Sequence, residues 1–107
     1  TPENDKMEHL SLSTVFGSRV KSIPISSNKS MIGHTLSAAG AVEAAFSLMT
    51  MLNGTIPPTI NHDNPDPAID LDVVPNVKRD ADVAAVLSNS FGFGGQNTCL
   101  VMAREPV

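Results

Sequence analysis

Lys29, His34 and Glu43 are the residues of this 107-residue chain whose types and spacing point to chemistry. Between Lys21 and Asp63 the only formal charges are Lys29 and Glu43. Glu43 falls in the middle of a segment made mostly of Ala, Val, Leu, Met and Phe. A carboxylate in such surroundings needs a partner, because an unpaired buried charge is very costly. Lys29 is the cation at hand. His34 follows Gly33 at the mouth of the same segment. A histidine at a helix N-terminus tends to stay neutral, since the local dipole opposes protonation. A neutral imidazole can donate one N–H to a carbonyl oxygen that is gaining negative charge. Lysine, histidine and glutamate gathered at a helix start suggest a site.

The element that must position them is a long helix, opening at His34–Thr35 and running to about Leu52–Asn53. It is apolar nearly all round, as an interior helix is. Gly40 and the alanines Ala38, Ala39, Ala41, Ala44 and Ala45 allow another backbone to approach closely. Gly54 is a natural stop, and Pro57-Pro58 prevents the helix from resuming. Upstream, Asp5 to about Phe16 reads as a helix with Met7, Leu10, Leu12 and Val15 as its apolar spacing and Gly17 as its end. Ser22 to Ser27 reads as a short strand through Ile23 and Ile25, with Pro24 awkwardly between them. The proline-rich stretch from Thr55 to about Ala81 reads as a long ordered loop with short extended pieces. Val83–Ser90 and Thr98–Ala103 read as two strands, antiparallel across a tight connection. The order helix, strand, helix, strand, strand points to an α/β layered fold.

Composition sets bounds. The length suits one small domain, and the net charge of −4 does not suggest a nucleic-acid surface. No apolar run is long and pure enough to span a membrane, and no signal peptide is evident. A single cysteine, Cys99, excludes an internal disulfide and fits a reducing cytoplasm. The chain starts at Thr1-Pro2 without an initiator methionine, and its central helix needs covering on all sides. Both features predict a piece of something larger, with exposed apolar faces that a missing segment or a partner chain would cover.

Three other features carry chemistry less securely. Phe91-Gly92-Phe93-Gly94-Gly95 fits neither a phosphate-binding loop nor a dinucleotide fingerprint. Its glycines permit unusual backbone angles, and its phenylalanines, in a chain with four, suit a gate or a pocket wall. Cys99, between strand residues, is expected to be a buried structural thiol rather than a nucleophile. His62, Asp63, Asp66, Asp70 and Asp72 match no standard metal-ligand spacing and are read as an acidic, solvated loop.

Four stretches together resemble, in order and spacing, the C-terminal part of the β-ketoacyl-acyl-carrier-protein synthases. They are Ser27-Asn28-Lys29-Ser30-Met31-Ile32-Gly33-His34, Ala38-Ala39-Gly40-Ala41-Val42-Glu43-Ala44, Pro57-Pro58-Thr59-Ile60-Asn61 and Asn89-Ser90-Phe91-Gly92-Phe93-Gly94-Gly95-Gln96-Asn97. The elongating type II branch of bacterial fatty acid synthesis matches best, and the resemblance spans essentially the whole chain. It implies a thiolase-like fold of two related halves, with residues 1–107 as the later part of the second half, incomplete without the upstream segment. It implies a decarboxylative Claisen condensation of a malonyl group on acyl carrier protein with an acyl group held on a cysteine. No cofactor is implied; the substrates ride on the phosphopantetheine of acyl carrier protein, and the enzyme is expected to be a cytoplasmic homodimer.

By resemblance, His34 matches the second catalytic histidine, in the Lys-Ser-x-x-Gly-His motif. Lys29 matches the active-site lysine and Glu43 its partner. Phe93 matches the gating phenylalanine, and its backbone N–H one donor of an oxyanion hole. Phe91, Gly92, Gly94 and Gly95 complete that substrate-facing loop, and Thr1 matches a pantetheine-contacting threonine. The nucleophilic cysteine and the first histidine lie upstream in this family, and Cys99 does not match the nucleophile. The chain alone is therefore expected to be inactive. Asn28 and Gln96 stand where threonine is usual. A polyketide ketosynthase and a non-catalytic subunit that sets chain length are the alternatives.

Overall fold

The computed structural model describes residues 1–106. The first helix, α1 (Pro2–Phe16), starts three residues earlier than the apolar spacing suggested. Thr1 caps it, its Oγ1 accepting from the Asn4 N–H at 3.2 Å, and Pro2 takes the first helical position, where its missing N–H costs nothing. A 3₁₀ turn over Gly17–Ser22 follows. The face of α1 turned inward is Glu8, Leu12 and Phe16, spaced by four residues. Met7, Leu10 and Val15 are exposed instead.

The strand expected over Ser22–Ser27 is not formed. Pro24 has no N–H to donate, and the segment makes single tethers rather than a ladder, such as Ile25 N–H to the Asp72 carbonyl at 2.8 Å. A four-residue helix, α2 (Lys29–Ile32), comes next. The long helix also begins later than expected. Gly33 at φ 76° and Leu36 at φ 55° turn the chain sharply. After them come a 3₁₀ turn, Leu36–Ala38, and then α3 (Ala39–Asn53). His34 thus precedes the helix by five residues rather than opening it. The C-terminus of α3 is as read: Gly54, at φ 63° and ψ 34°, donates its N–H to the Thr50 carbonyl at 3.0 Å.

Two antiparallel pairs complete the fold. Strands β1 (Thr55–Ile56) and β2 (Arg79–Asp80) close the base of the long loop. Strands β3 (Ala85–Phe91) and β4 (Asn97–Ala103) form a hairpin in continuous register from Ala85↔Ala103 to Phe91↔Asn97. α3 packs on β3. A Cβ added at Gly40 would lie 3.7 Å from Ser90 Oγ, so the small residue sets this approach. The observed order is three helices and then four strands, an α/β arrangement.

The core consists of Val20, Met51, Ile56 and Val74. α3 is therefore not enclosed within this chain: Leu48, Met49 and Leu52 are 49%, 56% and 80% exposed. The expected open apolar faces are present. Cys99 lies on one of them and is exposed, contrary to the buried thiol expected from its strand pattern. The hairpin has no second layer over that face among the described residues, so alternation along β4 buries little.

Candidate functional site

Lys29, on the first turn of α2, and Glu43, in the second turn of α3, meet as an ion pair. The Glu43 side chain is 16% exposed and that of Lys29 is 38% exposed. The pair is thus anchored on its acidic side and open on its basic side, rather than fully enclosed. Ser47 Oγ, one turn on, donates to the Glu43 carbonyl at 2.8 Å.

The pair lines an open groove of about 500 Å³ between α1, the Ile23–Asn28 segment, α3 and β3. Glu8 and Asn89 line the same groove. Glu8 is the residue that reading along the chain missed. Burial pushes its carboxyl above the ordinary value. A hydrogen bond from Asn89 opposes that shift, Asp5 and Glu43 add to it, and Lys29 opposes it. The legible signal was its spacing: Glu8, Leu12 and Phe16 recur every four residues, which places Glu8 on the inner face of α1. Asn28 Oδ1, also on this groove, is buried without a hydrogen-bond partner, and nothing in the structure explains it.

A carboxyl with a raised value binds its proton more tightly when folded than when unfolded. Stability therefore falls as pH rises from the ordinary carboxylate range through the folded value, and the penalty persists above it. Glu8→Gln in the full-length protein is expected to raise Tm at pH 8, with the gain vanishing below about pH 4, where both states are protonated. Thermal melts of both proteins across that range check this; a gain independent of pH would show that ionisation of Glu8 is not the cause.

His34 is exposed and stands outside this groove. Its ring is nonetheless oriented. Nδ1 accepts the Leu36 N–H at 2.9 Å, across the turn that Gly33 and Leu36 create. With Nδ1 engaged as acceptor, a neutral ring carries its own proton on Nε2, which is left to donate outward. The sharp turn before α3, rather than a helix start, is what acts on the ring. It selects one tautomer through a backbone N–H.

The loop between β3 and β4 holds the remaining candidates. Phe91 ends β3, opposite Asn97. Gly92 N–H donates to the Gln96 carbonyl at 2.6 Å, and a Cβ at Gly92 would crowd that oxygen at 3.3 Å. Gly94 and Gly95 take φ 88° and 83°, which L side chains rarely adopt. Phe93 projects from the tip fully exposed. Neither Phe93 nor Thr1 lines the groove of Lys29 and Glu43. This chain therefore brings together Lys29, Glu43 and Glu8, and leaves His34, Phe93 and Thr1 on separate open surfaces. Among the described residues, no cluster of His, Cys, Asp or Glu could hold a metal ion, and no helix is long and apolar enough to cross a membrane.

Known proteins place this geometry. The family described as the beta-ketoacyl synthase C-terminal domain matches residues 1–63, the stretch carrying Glu8, Lys29, His34 and Glu43. The chain belongs to that family. Over 104 residues it is 47% identical to 3-oxoacyl-[acyl-carrier-protein] synthase 2 of Coxiella burnetii, covering 97% of this chain and 25% of that protein. It is 46% identical to the tetracenomycin polyketide synthase ketoacyl synthase alpha subunit of Streptomyces glaucescens, covering 97% and 24%. Among solved structures, the ishigamide ketosynthase/chain length factor superposes with a TM-score of 0.90 at 40% identity, over 96% of this chain and 25% of that one. A ketosynthase of a type II polyketide system (AntDE), solved in complex with its acyl-carrier protein and bound to the hexaketide, superposes with a TM-score of 0.89 at 36% identity, over 92% and 24%. The thiolase-like assignment of this β-ketoacyl synthase segment follows from these likenesses. The chain spans about a quarter of the length of these relatives.

Proposed function

We propose that this chain is the part of a condensing enzyme that activates the malonyl donor, in a 3-oxoacyl-acyl-carrier-protein synthase of fatty acid elongation. The observation that carries the reading is the orientation of His34: with Nδ1 bonded to the Leu36 N–H, Nε2 is the free donor. In the reaction, the bond from the malonyl α-carbon to its carboxylate breaks and carbon dioxide leaves. The electron pair passes into the thioester, and its oxygen gains the negative charge. The Nε2–H of His34 donates to that oxygen and lowers the cost of the enolate. The α-carbon then attacks an acyl thioester on a cysteine upstream of this chain. The carbon–carbon bond forms, the carbon–sulfur bond breaks, and the cysteine thiolate is regenerated.

Lys29 and Glu43 form a positioned pair in their own groove, linked to His34 along the chain through α2 and Gly33. Phe93 and the Gly92–Gly95 loop form a gate, and the backbone of Phe93 supplies a donor to the acyl thioester oxygen. Thr1 faces the pantetheine arm. The whole protein is a cytoplasmic homodimer that receives both substrates from an acyl carrier protein. That partnership is supported by the carrier protein seated on the similar ketosynthase. A polyketide ketosynthase is the second reading, favoured by an identity to the tetracenomycin subunit nearly equal to that with the fatty acid enzyme.

Intact mass spectrometry of the full-length protein, after incubation with long-chain acyl-carrier protein, tests the proposal. An acyl adduct on an upstream cysteine is expected. No adduct on a folded protein that binds the carrier would overturn the enzymatic reading in favour of a non-catalytic subunit.

A further inference from the structure

A four-residue helix does not hold itself, since a single turn loses more conformational entropy than its hydrogen bonds return. α2 also has no side-chain cap. Yet α2 carries Lys29 and runs through Gly33 into His34. What holds it lies about thirty residues away, on the loop after α3. Ser27 N–H donates to Thr59 Oγ1 at 3.0 Å. Ile60 N–H donates to Ser30 Oγ at 3.0 Å, and the same hydroxyl donates to the Ser27 carbonyl at 2.8 Å. Ser26 Oγ donates to the Pro57 carbonyl.

The loop side of these contacts is itself fixed. Thr59 N–H donates to the Val74 carbonyl at 3.0 Å, and the Thr59 carbonyl accepts from Asn76 N–H at 2.9 Å. Val74 is completely buried and sits at φ 50°. A β-branched residue keeps that conformation only where its surroundings over-determine it. Asp72 adds to the constraint: its carboxylate pairs with the Arg79 guanidinium, one bond at 2.9 Å, and accepts the Val74 N–H at 3.2 Å. Thr59 therefore joins a rigid loop, through its backbone, to the segment before Lys29, through its hydroxyl.

We propose that Thr59 and Ser30 are positioning residues. Their hydroxyls clasp α2 to the Pro57–Ile60 segment, and the clasp sets where Lys29 and His34 stand relative to Glu43. The catalytic consequence rests on the condensing role given above; the clasp itself does not.

Thr59→Val removes the acceptor while keeping the side-chain shape, and Thr59→Ser keeps the acceptor. In the full-length protein, T59V is expected to lower kcat for condensation about tenfold, with KM for malonyl-acyl-carrier protein within about twofold, because a misplaced catalytic group costs turnover before it costs binding. T59S is expected to stay within about twofold of the parent in both. Amide hydrogen exchange over Ser26–His34 is expected to quicken about tenfold in T59V and not in T59S. The exchange measurement needs no activity, so a parent that does not condense overturns the functional reading and leaves the clasp to be decided by exchange. Unchanged exchange in T59V, or T59S behaving as T59V does, overturns the clasp. Quickened exchange with undiminished kcat overturns its positioning role. Where T59V does not fold, S30A removes the other hydroxyl and is read in the same way.

Discussion

On the proposed reading, His34→Ala in the full-length protein is expected to lower carbon dioxide release from malonyl-acyl-carrier protein by about 10²–10³-fold, the usual loss when one donor to a developing oxyanion is removed. Transfer of an acyl group onto the upstream cysteine is expected to survive, because on that reading the step places no charge on the oxygen assigned to His34. The two halves of the reaction can be followed separately, by labelled carbon dioxide and by intact mass. His34→Gln sharpens the result. A glutamine amide also presents an N–H donor, but it lacks the ring that the Leu36 N–H orients, so partial recovery is expected. Decarboxylation at the parent rate in H34A would remove His34 from the chemistry.

The second large effect is on stability. Glu43→Gln leaves Lys29 cationic and without its partner in the groove. Breaking a fully buried pair costs about 3–5 kcal/mol. Lys29 is 38% exposed, so water recovers part of that, and about 1–2 kcal/mol is the expected loss. Tm then falls by a few degrees. Removing both charges, in E43Q/K29M, is expected to recover more than half of the loss, because the penalty lies in the stranded ammonium rather than in the missing attraction. A double variant as unstable as E43Q would mean that Glu43 matters for its packing on α3 and not for its charge. An unchanged Tm in E43Q would dismiss the pair as a structural element.

What the sequence determined by itself was local chemistry and punctuation. Two charges in a forty-residue neutral stretch had little choice but to meet, since desolvation penalises each alone far more than together. Gly54 and Pro57-Pro58 ended α3 where they had to, and the two strands flanking the glycine loop paired antiparallel as expected. The exposure of Leu48, Met49 and Leu52 was also legible, as a helix too apolar for the rest of the chain to enclose.

Only the tertiary structure decided how the site residues are aimed. The turn at Gly33–Leu36 moved His34 out of the helix and gave its ring a backbone partner two residues on, through a positive φ at Leu36 that residue type alone does not favour. Distant contacts decided the failed strand at Ser22–Ser27: its hydrogen bonds go to Asp72, Pro57 and Thr59, partners about thirty to fifty residues distant, so its pattern of alternating isoleucines was outvoted. Glu8 joined the groove because packing chose the face Glu8–Leu12–Phe16 over the more apolar face of Met7, Leu10 and Val15. Cys99 stayed exposed because a strand buries its alternate residues only when a second layer lies against them. Residue types settled which chemistry was available; the backbone turn at Gly33–Leu36 settled which nitrogen of His34 is left free to donate.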